Sequence, residues 1–193
     1  MENNAVKKTA RIAGVLVIIT TLTAVLLAVI NLLTEPVIAE NNAATKQAAI
    51  AEIFEGADKT ESLDSLFAEE YPEGLTELYT VYKGEELLGY CAGVESMGFS
   101  DNIGMMVGVT ADGKVKGIRI LSISDTPGLG MKVNDEDYLS GYEGISYPAA
   151  FGEGVDAITG ATYSSKGVRN GVNIALEFCS RLTVEGEEET ANE

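Results

Sequence analysis

Histidine is absent from this chain of 193 residues, and tryptophan is absent too. Histidine is the side chain that most often serves as an acid–base group near neutral pH, and it is the commonest metal ligand. Its absence excludes Ser-His-Asp and Cys-His catalysis and any histidine-ligated metal centre made by this chain. We therefore predict no catalytic residue and no metal ligand.

Cysteine is nearly absent, since Cys91 and Cys179 are the only two and their spacing fits no C-x-x-C site. Zinc and iron–sulfur centres made by this chain alone are therefore not expected. A disulfide between the two is one alternative, and a buried pair of ordinary thiols is the favoured one. Any redox chemistry would have to come from a cofactor.

Positive charge is scarce as well. The chain has 13 Lys and Arg against 30 Asp and Glu, which gives a formal net charge of −17. A polyanionic partner would be repelled by such a protein, so we expect no nucleic-acid partner.

One long hydrophobic run stands near the N-terminus, where residues 12–34 carry no charge. As a helix the run is roughly 34 Å long, enough to cross a hydrocarbon core of about 30 Å. Cations precede it and acids follow it (Lys7, Lys8 and Arg11; Glu35 and Glu40). We predict a cytoplasmic segment 1–11, a single transmembrane anchor 12–34 in contact with membrane lipid, and an extracytoplasmic remainder. The alternative, a cleaved signal peptide, is disfavoured because the run is too long and Ile38-Ala39-Glu40 is a poor cleavage site.

Residues 35–75 are predicted to form a helical stalk and an acidic connector. An alanine-rich pattern indicates a helix from Val37 to Phe54, and the acidic stretch from Gly56 to Gly74 shows no regular periodicity. At the other end, residues 184–193 are rich in glutamate and are predicted to be a disordered tail.

Between these segments, residues 76–183 predict an α+β domain. Alternating apolar residues indicate two antiparallel β-hairpins, Leu78–Tyr82 with Leu87–Gly93 and Ile103–Thr110 with Lys114–Ser124. A flexible turn is expected at 95–100, a short helix at 135–142, and a closing amphipathic helix from about Ser165 to Leu182.

The stretch 156–166 concentrates hydroxyl side chains around one glycine, immediately before the closing helix. Gly160 permits close backbone approach to a ligand, and Ser164 or Ser165 is a suitable N-cap. A helix N-terminus with free N–H groups favours an anion such as phosphate, and Lys166 and Arg169 add positive charge. The plain alternative is a Ser/Thr-rich turn that caps a surface helix and binds nothing.

The run Asp-x-x-Thr-Gly-Ala-Thr-x-Ser-Ser from Asp156 to Ser165 resembles the attachment motif of the FMN-binding domain in the G subunit of Rnf ion-translocating complexes. The C subunit of sodium-pumping NADH:quinone reductase carries a similar motif. The resemblance implies a phosphoester between FMN and the hydroxyl of Thr162, and Thr159 stands where that family has Ser or Thr.

A second stretch, Asp125-Thr126-Pro127-Gly128-Leu129-Gly130, resembles another element of the same family. The family usually has Glu at the position of Asp125, and it has Gly-x-Gly where this chain has Ser96-Met97-Gly98. Pro127-Gly128 also specifies a tight turn, and a simple connecting loop is the alternative to a binding element.

From this resemblance we expect a membrane subunit that relays electrons through covalent FMN, in a complex linking ferredoxin and NAD+ to Na+ or H+ transport. Expected partners are the other Rnf subunits and a flavin transferase that attaches FMN. The alternatives are the equivalent subunit of the sodium-pumping NADH:quinone reductase, an anchored domain that binds a phosphorylated ligand reversibly, and a purely structural membrane-anchored scaffold. Besides Thr162, the expected FMN contacts are Thr159, Gly160, Ala161, Tyr163, Ser164, Thr126, Pro127, Gly128, Leu129, Gly130, Met97, Gly98 and Asp156.

Overall fold

The computed structural model describes residues 2–152 and 154–190. Contacts divide the chain into two compact units, one ending at Ala44 and the other beginning at Thr45. The long helix α1 spans Glu2–Ile53 and runs through this division.

The first unit is the N-terminal part of α1. Its large apolar side chains are exposed, as at Leu22 and Leu32. The hydroxyls of Thr20, Thr23 and Thr34 donate to carbonyls four residues earlier, at 2.9–3.0 Å, so these polar groups are satisfied within the helix. By length and composition α1 is able to cross a membrane, in agreement with the predicted single-pass anchor.

The second unit contains a five-stranded antiparallel sheet in which every strand pairs with its neighbour in sequence, in the order β1-β2-β3-β4-β5. Short helices α2 and α3 and a long closing helix α4 accompany it, and the predicted α+β fold is confirmed. The elements are β1 Lys59–Ser62, α2 Asp64–Phe67, β2 Leu75–Lys83, β3 Glu86–Met97, β4 Asn102–Thr110, β5 Val115–Ser122, α3 Glu136–Ser140 and α4 Thr162–Thr190.

Helix α4 covers one face of the sheet. Five of the six residues predicted to form its apolar stripe are fully buried and pack with sheet residues such as Leu78 and Met105, whereas the sixth, Leu182, is half-buried against the same cluster. That stripe recurs every three or four residues, as a helix that covers a sheet requires: Val168, Val172, Ala175, Leu176 and Cys179.

The last turns of α1 cover the opposite face. Ile53 and Phe54 are buried with Val81 and Cys91, and a Cβ on Gly108 would overlap Cγ2 of Ile53. This close approach explains the glycine in β4. The C-terminal end of the predicted stalk helix is therefore part of the core of the second unit.

Both cysteines are free and buried, as expected for ordinary thiols. Cys91 belongs to the hydrophobic cluster under α1 and Cys179 to the cluster under α4.

Three predicted segments differ from the structure. The connector 56–74 contains β1, an exposed edge strand whose four polar residues give no alternating pattern. The expected flexible turn at 95–100 is shorter, because β3 continues to Met97. Residues 184–190, expected to be disordered, continue α4, because their glutamates are good helix formers and no proline interrupts them. Residues 191–193 of the predicted tail lie outside the described residues.

Candidate functional site

Helix α4 begins at Thr162, three residues before the predicted start. The first helical hydrogen bond runs from the N–H of Ser165 to the carbonyl of Ala161, at 2.9 Å. The N–H groups of Thr162, Tyr163 and Ser164 have no acceptor within the described part of the chain. The helix start therefore presents three free donors beside the exposed hydroxyl of Thr162.

The sequence suggested Ser164 or Ser165 as the N-cap of α4, but neither residue has that role in the structure. Both lie in the first turn of α4 and are buried, at 1% and 0% exposure. Their hydroxyls serve loops that pack across the helix start: Ser165 Oγ accepts the N–H of Ile158 at 3.0 Å, and Ser164 lies against Asp125. The two serine side chains of the first helical turn thus hold the preceding turn, which ends at Thr162, in place.

A pocket with a cavity volume of about 340 Å³ lies in front of this helix start. It brings together residues of both predicted motifs and one residue that was not predicted. Its lining residues are Phe99, Thr126, Leu129, Gly130, Gly160, Ala161, Thr162, Tyr163 and Ser164.

Gly160 is required by the pocket geometry. Its φ is +85°, and a Cβ there would lie 2.9 Å from Cδ1 of Leu129. The turn is closed by the Ala161 N–H, which donates to the carbonyl of Ile158 at 2.9 Å. Only glycine combines this backbone conformation with such close contact to the facing loop.

The facing loop is a tight turn, as Pro127-Gly128 predicted. The N–H of Leu129 donates to the carbonyl of Thr126 at 3.2 Å, and Gly128 has a φ of +73°. These values describe a type II turn with proline and glycine at its centre. The turn directs Leu129 toward the pocket and leaves Pro127 and Gly128 exposed outside it.

The loop after β3 contributes Phe99, whose ring centroid lies 6.1 Å from that of Tyr163. Met97, expected as an apolar wall, is 63% exposed and does not line the pocket. Because side chains alternate along a strand, extension of β3 to Met97 moves the inward position away from that residue. Phe99 was not among the predicted FMN contacts, although an aromatic residue in the 95–100 turn was visible in the sequence and could have indicated it.

Several other expected contacts also lie outside the pocket lining. Thr159 and Asp156 are exposed, and Gly98 lies behind Phe99, where a Cβ would be 2.9 Å from Asp125 Oδ2. These positions shape or flank the site without lining it.

Four residues of α4, spaced four apart, hold the segment that leads into the turn before Thr162; we name them the α4 ladder. Ser165 binds Ile158, the Arg169 guanidinium lies 4.6 Å from the Phe151 ring centroid, Asn173 binds Ala149, and Glu177 accepts from Tyr147 at 3.5 Å. Residues four apart share one helix face, so residues 147–152 and 154–158 follow α4 toward its N-terminus. The N-terminal end of that helix face carries the pocket.

The pocket fits a flavin mononucleotide in size and in donors. Its volume falls at the lower end of the range for small-molecule sites, about 300–1,000 Å³. The free N–H groups at the helix start suit a phosphate, and Phe99, Leu129 and Tyr163 offer apolar and aromatic surface for a planar ring system.

Comparisons with known proteins agree with this assignment. The FMN-binding domain family matches residues 98–177, which include the pocket. The G subunit of the Na(+)-translocating ferredoxin:NAD(+) oxidoreductase complex of Acetobacterium woodii is 31% identical over 187 residues, covering 88% of this chain and 90% of the relative. The G subunit of the proton-translocating ferredoxin:NAD(+) oxidoreductase complex of Clostridium ljungdahlii is 27% identical, covering 82% of this chain and 85% of the relative.

A solved structure, NqrC of Shewanella oneidensis, is similar with a TM-score of 0.44 and 23% identity, covering 52% of this chain and 54% of that one. The full-length sequence similarity is the stronger finding, because it extends over both units of the chain. This chain belongs to the G-subunit family of ion-translocating ferredoxin:NAD+ oxidoreductase complexes and carries an FMN-binding domain.

Proposed function

We propose that this protein is the membrane-anchored subunit that carries FMN, as phosphothreonyl-FMN on Thr162, in an ion-translocating ferredoxin:NAD+ oxidoreductase. The observation that carries the proposal is the position of Thr162. It is the first residue of α4, its hydroxyl is exposed at the pocket, and three free N–H groups begin there.

The N–H groups of Thr162, Tyr163 and Ser164 are proposed to hold the phosphate. They lie at the positive end of the α4 dipole. This arrangement stabilises a phosphate without a cationic side chain. Lys166 adds charge in the same turn, with its Nζ 5.9 Å from the Tyr163 ring centroid. Gly160 allows the preceding backbone to approach Leu129, so the phosphate end of the pocket stays narrow.

Attachment is proposed to need a separate flavin transferase. A neutral threonine hydroxyl is a weak nucleophile without a base, the chain has no histidine, and no carboxylate in the described residues bonds to Thr162. With FAD as donor, the Thr162 oxygen forms a bond to the flavin-side phosphorus. The P–O bond between this phosphorus and AMP breaks. AMP leaves, and the proton of the Thr162 hydroxyl is released with it. The exposure of Thr162 leaves the hydroxyl accessible to such an enzyme.

Bound FMN supplies one-electron and two-electron redox chemistry, which the amino acids of this chain lack. The protein orients the group by its phosphate and packs Phe99, Leu129 and Tyr163 around the pocket. All three side chains stay at least 40% exposed, so partner subunits are able to approach the site.

The first test uses the full-length protein from its native host and the variants Thr162→Ala and Thr159→Ala. We expect a fluorescent band on a denaturing gel and a mass gain of one FMN less one water in the wild type. Thr162→Ala should lose both signals. Thr159→Ala, altered in the same exposed turn, should keep them. A dark wild-type band at the bare mass in a host with an active transferase would favour the reversible phosphate-ligand domain instead.

A second test addresses the proposed orientation, with the N-terminus cytoplasmic and the FMN domain outside. Glu85→Cys lies in the exposed β2–β3 turn and should react in intact cells with a membrane-impermeant maleimide. The native cysteines are buried and should stay unlabelled. Ala5→Cys, before the anchor, should react only after permeabilisation. The reverse labelling pattern would contradict the proposed orientation.

A further inference from the structure

Asp125 is a buried carboxylate at the junction of three pocket segments. It is only 3% exposed and follows β5 in the loop that leads to the Pro127-Gly128 turn. Its Oδ1 accepts the N–H of Ser100 at 2.7 Å and that of Phe99 at 3.0 Å. The third neighbour is the hydroxyl of Ser164 in α4.

The packing around this carboxylate leaves no spare volume. A Cβ on Gly98 would lie 2.9 Å from Asp125 Oδ2. A Cβ on Gly130 would lie 2.7 Å from Asp125 Cβ and 2.8 Å from Ser164 Oγ. The loop after β3, the loop after β5 and the start of α4 therefore meet at one side chain. Phe99, Gly130 and Ser164 all line the pocket, so Asp125 fixes three of its walls from behind.

The negative charge of Asp125 has no cationic partner in the described ranges, where no Lys or Arg forms an ion pair with it. Burial raises the pKa of this carboxyl, but hydrogen bonds from Ser164, Ser100 and Phe99 outweigh it and hold the pKa below its ordinary value. The group is therefore ionised at neutral pH. Its charge is stabilised by neutral donors only, so its field is not cancelled locally.

We propose that Asp125 is a positioning residue of the flavin site. It joins the three pocket segments, and its fixed negative charge behind the pocket lowers the reduction potential of the bound flavin. Reduction adds electrons to the ring system, and a buried anion nearby opposes that addition. This inference rests on the proposed function for the flavin itself, but the junction of the three segments does not depend on it.

The test compares Asp125→Asn with Asp101→Asn in the full-length protein carrying FMN. Both variants remove one negative charge, but Asp101 is exposed and has none of the contacts of Asp125 with α4. We expect Asp125→Asn to raise the midpoint potential of the flavin and Asp101→Asn to shift it much less. An unchanged potential in Asp125→Asn, or equal shifts in both variants, would overturn the inference.

A second measurement keeps the inference testable if Asp125→Asn does not fold or does not acquire flavin. The Thr162→Ala protein carries no attached FMN. In it, the amides of Phe99 and Ser100 should exchange with deuterium at least about ten times more slowly than the Asp101 amide. The Asp101 N–H has no acceptor in the described residues. Equal exchange rates would show that Asp125 does not hold this loop. A dark wild-type protein, by contrast, would contradict the covalent flavin and not this junction.

Discussion

Asn173 holds Ala149 by both ends of its amide. Its Oδ1 accepts the Ala149 N–H at 2.7 Å, and its Nδ2 donates to the Ala149 carbonyl at 3.0 Å. A two-ended bond of this kind fixes the backbone of Ala149 in the way that a neighbouring strand would. It is the third rung of the α4 ladder and the only one made of two hydrogen bonds among the four described.

Asn173→Ala should destabilise the protein by about 1–3 kcal/mol, because it leaves the N–H and carbonyl of the buried Ala149 without partners. Asn173→Asp should keep one bond and place a second oxygen against the Ala149 carbonyl. Denaturant unfolding of the full chain in detergent measures both effects. Asn170→Ala is the matched control, since that side chain is exposed and its one hydrogen bond among the described residues comes from Arg169. Equal losses in Asn170→Ala and Asn173→Ala would contradict a role for the ladder.

Gly160→Ala should reduce flavin incorporation and stability together. The new Cβ would lie 2.9 Å from Leu129 Cδ1, and the φ of +85° disfavours alanine by roughly 1 kcal/mol. Gly113→Ala is the control, because Gly113 has a φ of +77° with nothing within 4 Å of the added Cβ. Gel fluorescence and melting temperature of the two variants distinguish strain alone from loss of the pocket wall. Normal flavin content in Gly160→Ala would show that this contact is dispensable.

Lys46→Ala should cost about 2 kcal/mol of stability. Lys46 Nζ lies 2.7 Å from Glu77 Oε1, and the Glu77 side chain is only 12% exposed, so its charge would be left with the Tyr79 hydroxyl alone. The expected cost is below that of a fully buried pair because Lys46 is 35% exposed.

Lys59→Ala provides the comparison, since Lys59 and Glu61 form a solvent-exposed pair at 2.7 Å. Its expected effect on stability is smaller than that of Lys46→Ala, because solvent screens an exposed ion pair. Thermal unfolding of both variants, at low and high salt, measures the difference. A larger loss in Lys59→Ala would reverse the ranking derived from burial.

The buried thiols predict a pH dependence of stability in alkali. Burial raises the pKa of Cys179 to about 12 and raises that of Cys91 also. A thiol whose pKa is raised in the folded state stabilises that state. The stabilisation is fully present below the ordinary pKa near 9, and it is lost as the pH rises toward 12. The slope is at most about 1.4 kcal/mol per pH unit for one group.

Unfolding midpoints of the wild type and Cys179→Ala, measured from pH 7 to 11, isolate this effect. The stability difference between the two should fall above pH 9. A thiol reagent at pH 8 should modify Cys179 only after denaturation, because the thiolate is nearly absent in the folded protein. Rapid labelling of native protein would contradict the burial of this residue.

Strong local periodicity made much of the fold predictable. The apolar stripe of α4, the two hairpins and the N-terminal hydrophobic run each carry a repeating pattern that one element satisfies by itself. The strand β1 carries no such pattern, because Lys59 to Ser62 are all exposed and pair on one side only. Its existence depends on the backbone edge of β2, which no local sequence feature reports.

At the site, the two glycine-containing motifs were predictable as turns, and FMN attachment at Thr162 remains a proposal that a resemblance suggested. The role of Asp125 was not predictable, since its partners Phe99 and Ser100 lie more than twenty residues away in sequence. The same holds for Ser164 and Ser165, which look like helix caps locally. Their hydroxyls instead bond to residues of loops that only the tertiary structure brings to the helix.

The start of α4 also has a consequence for the order of events during biosynthesis. Thr162 belongs to the last helix of the chain, whereas Phe99 and Leu129 come from loops made much earlier. The Ser96 hydroxyl donates to the Gly167 carbonyl at 2.5 Å, so the end of β3 and the first turns of α4 are joined directly. A nascent chain lacking α4 has neither Thr162, the proposed attachment residue, nor the helix that completes the pocket. On the proposed attachment of FMN to Thr162, cofactor loading follows synthesis of α4, and a chain without this helix does not mature.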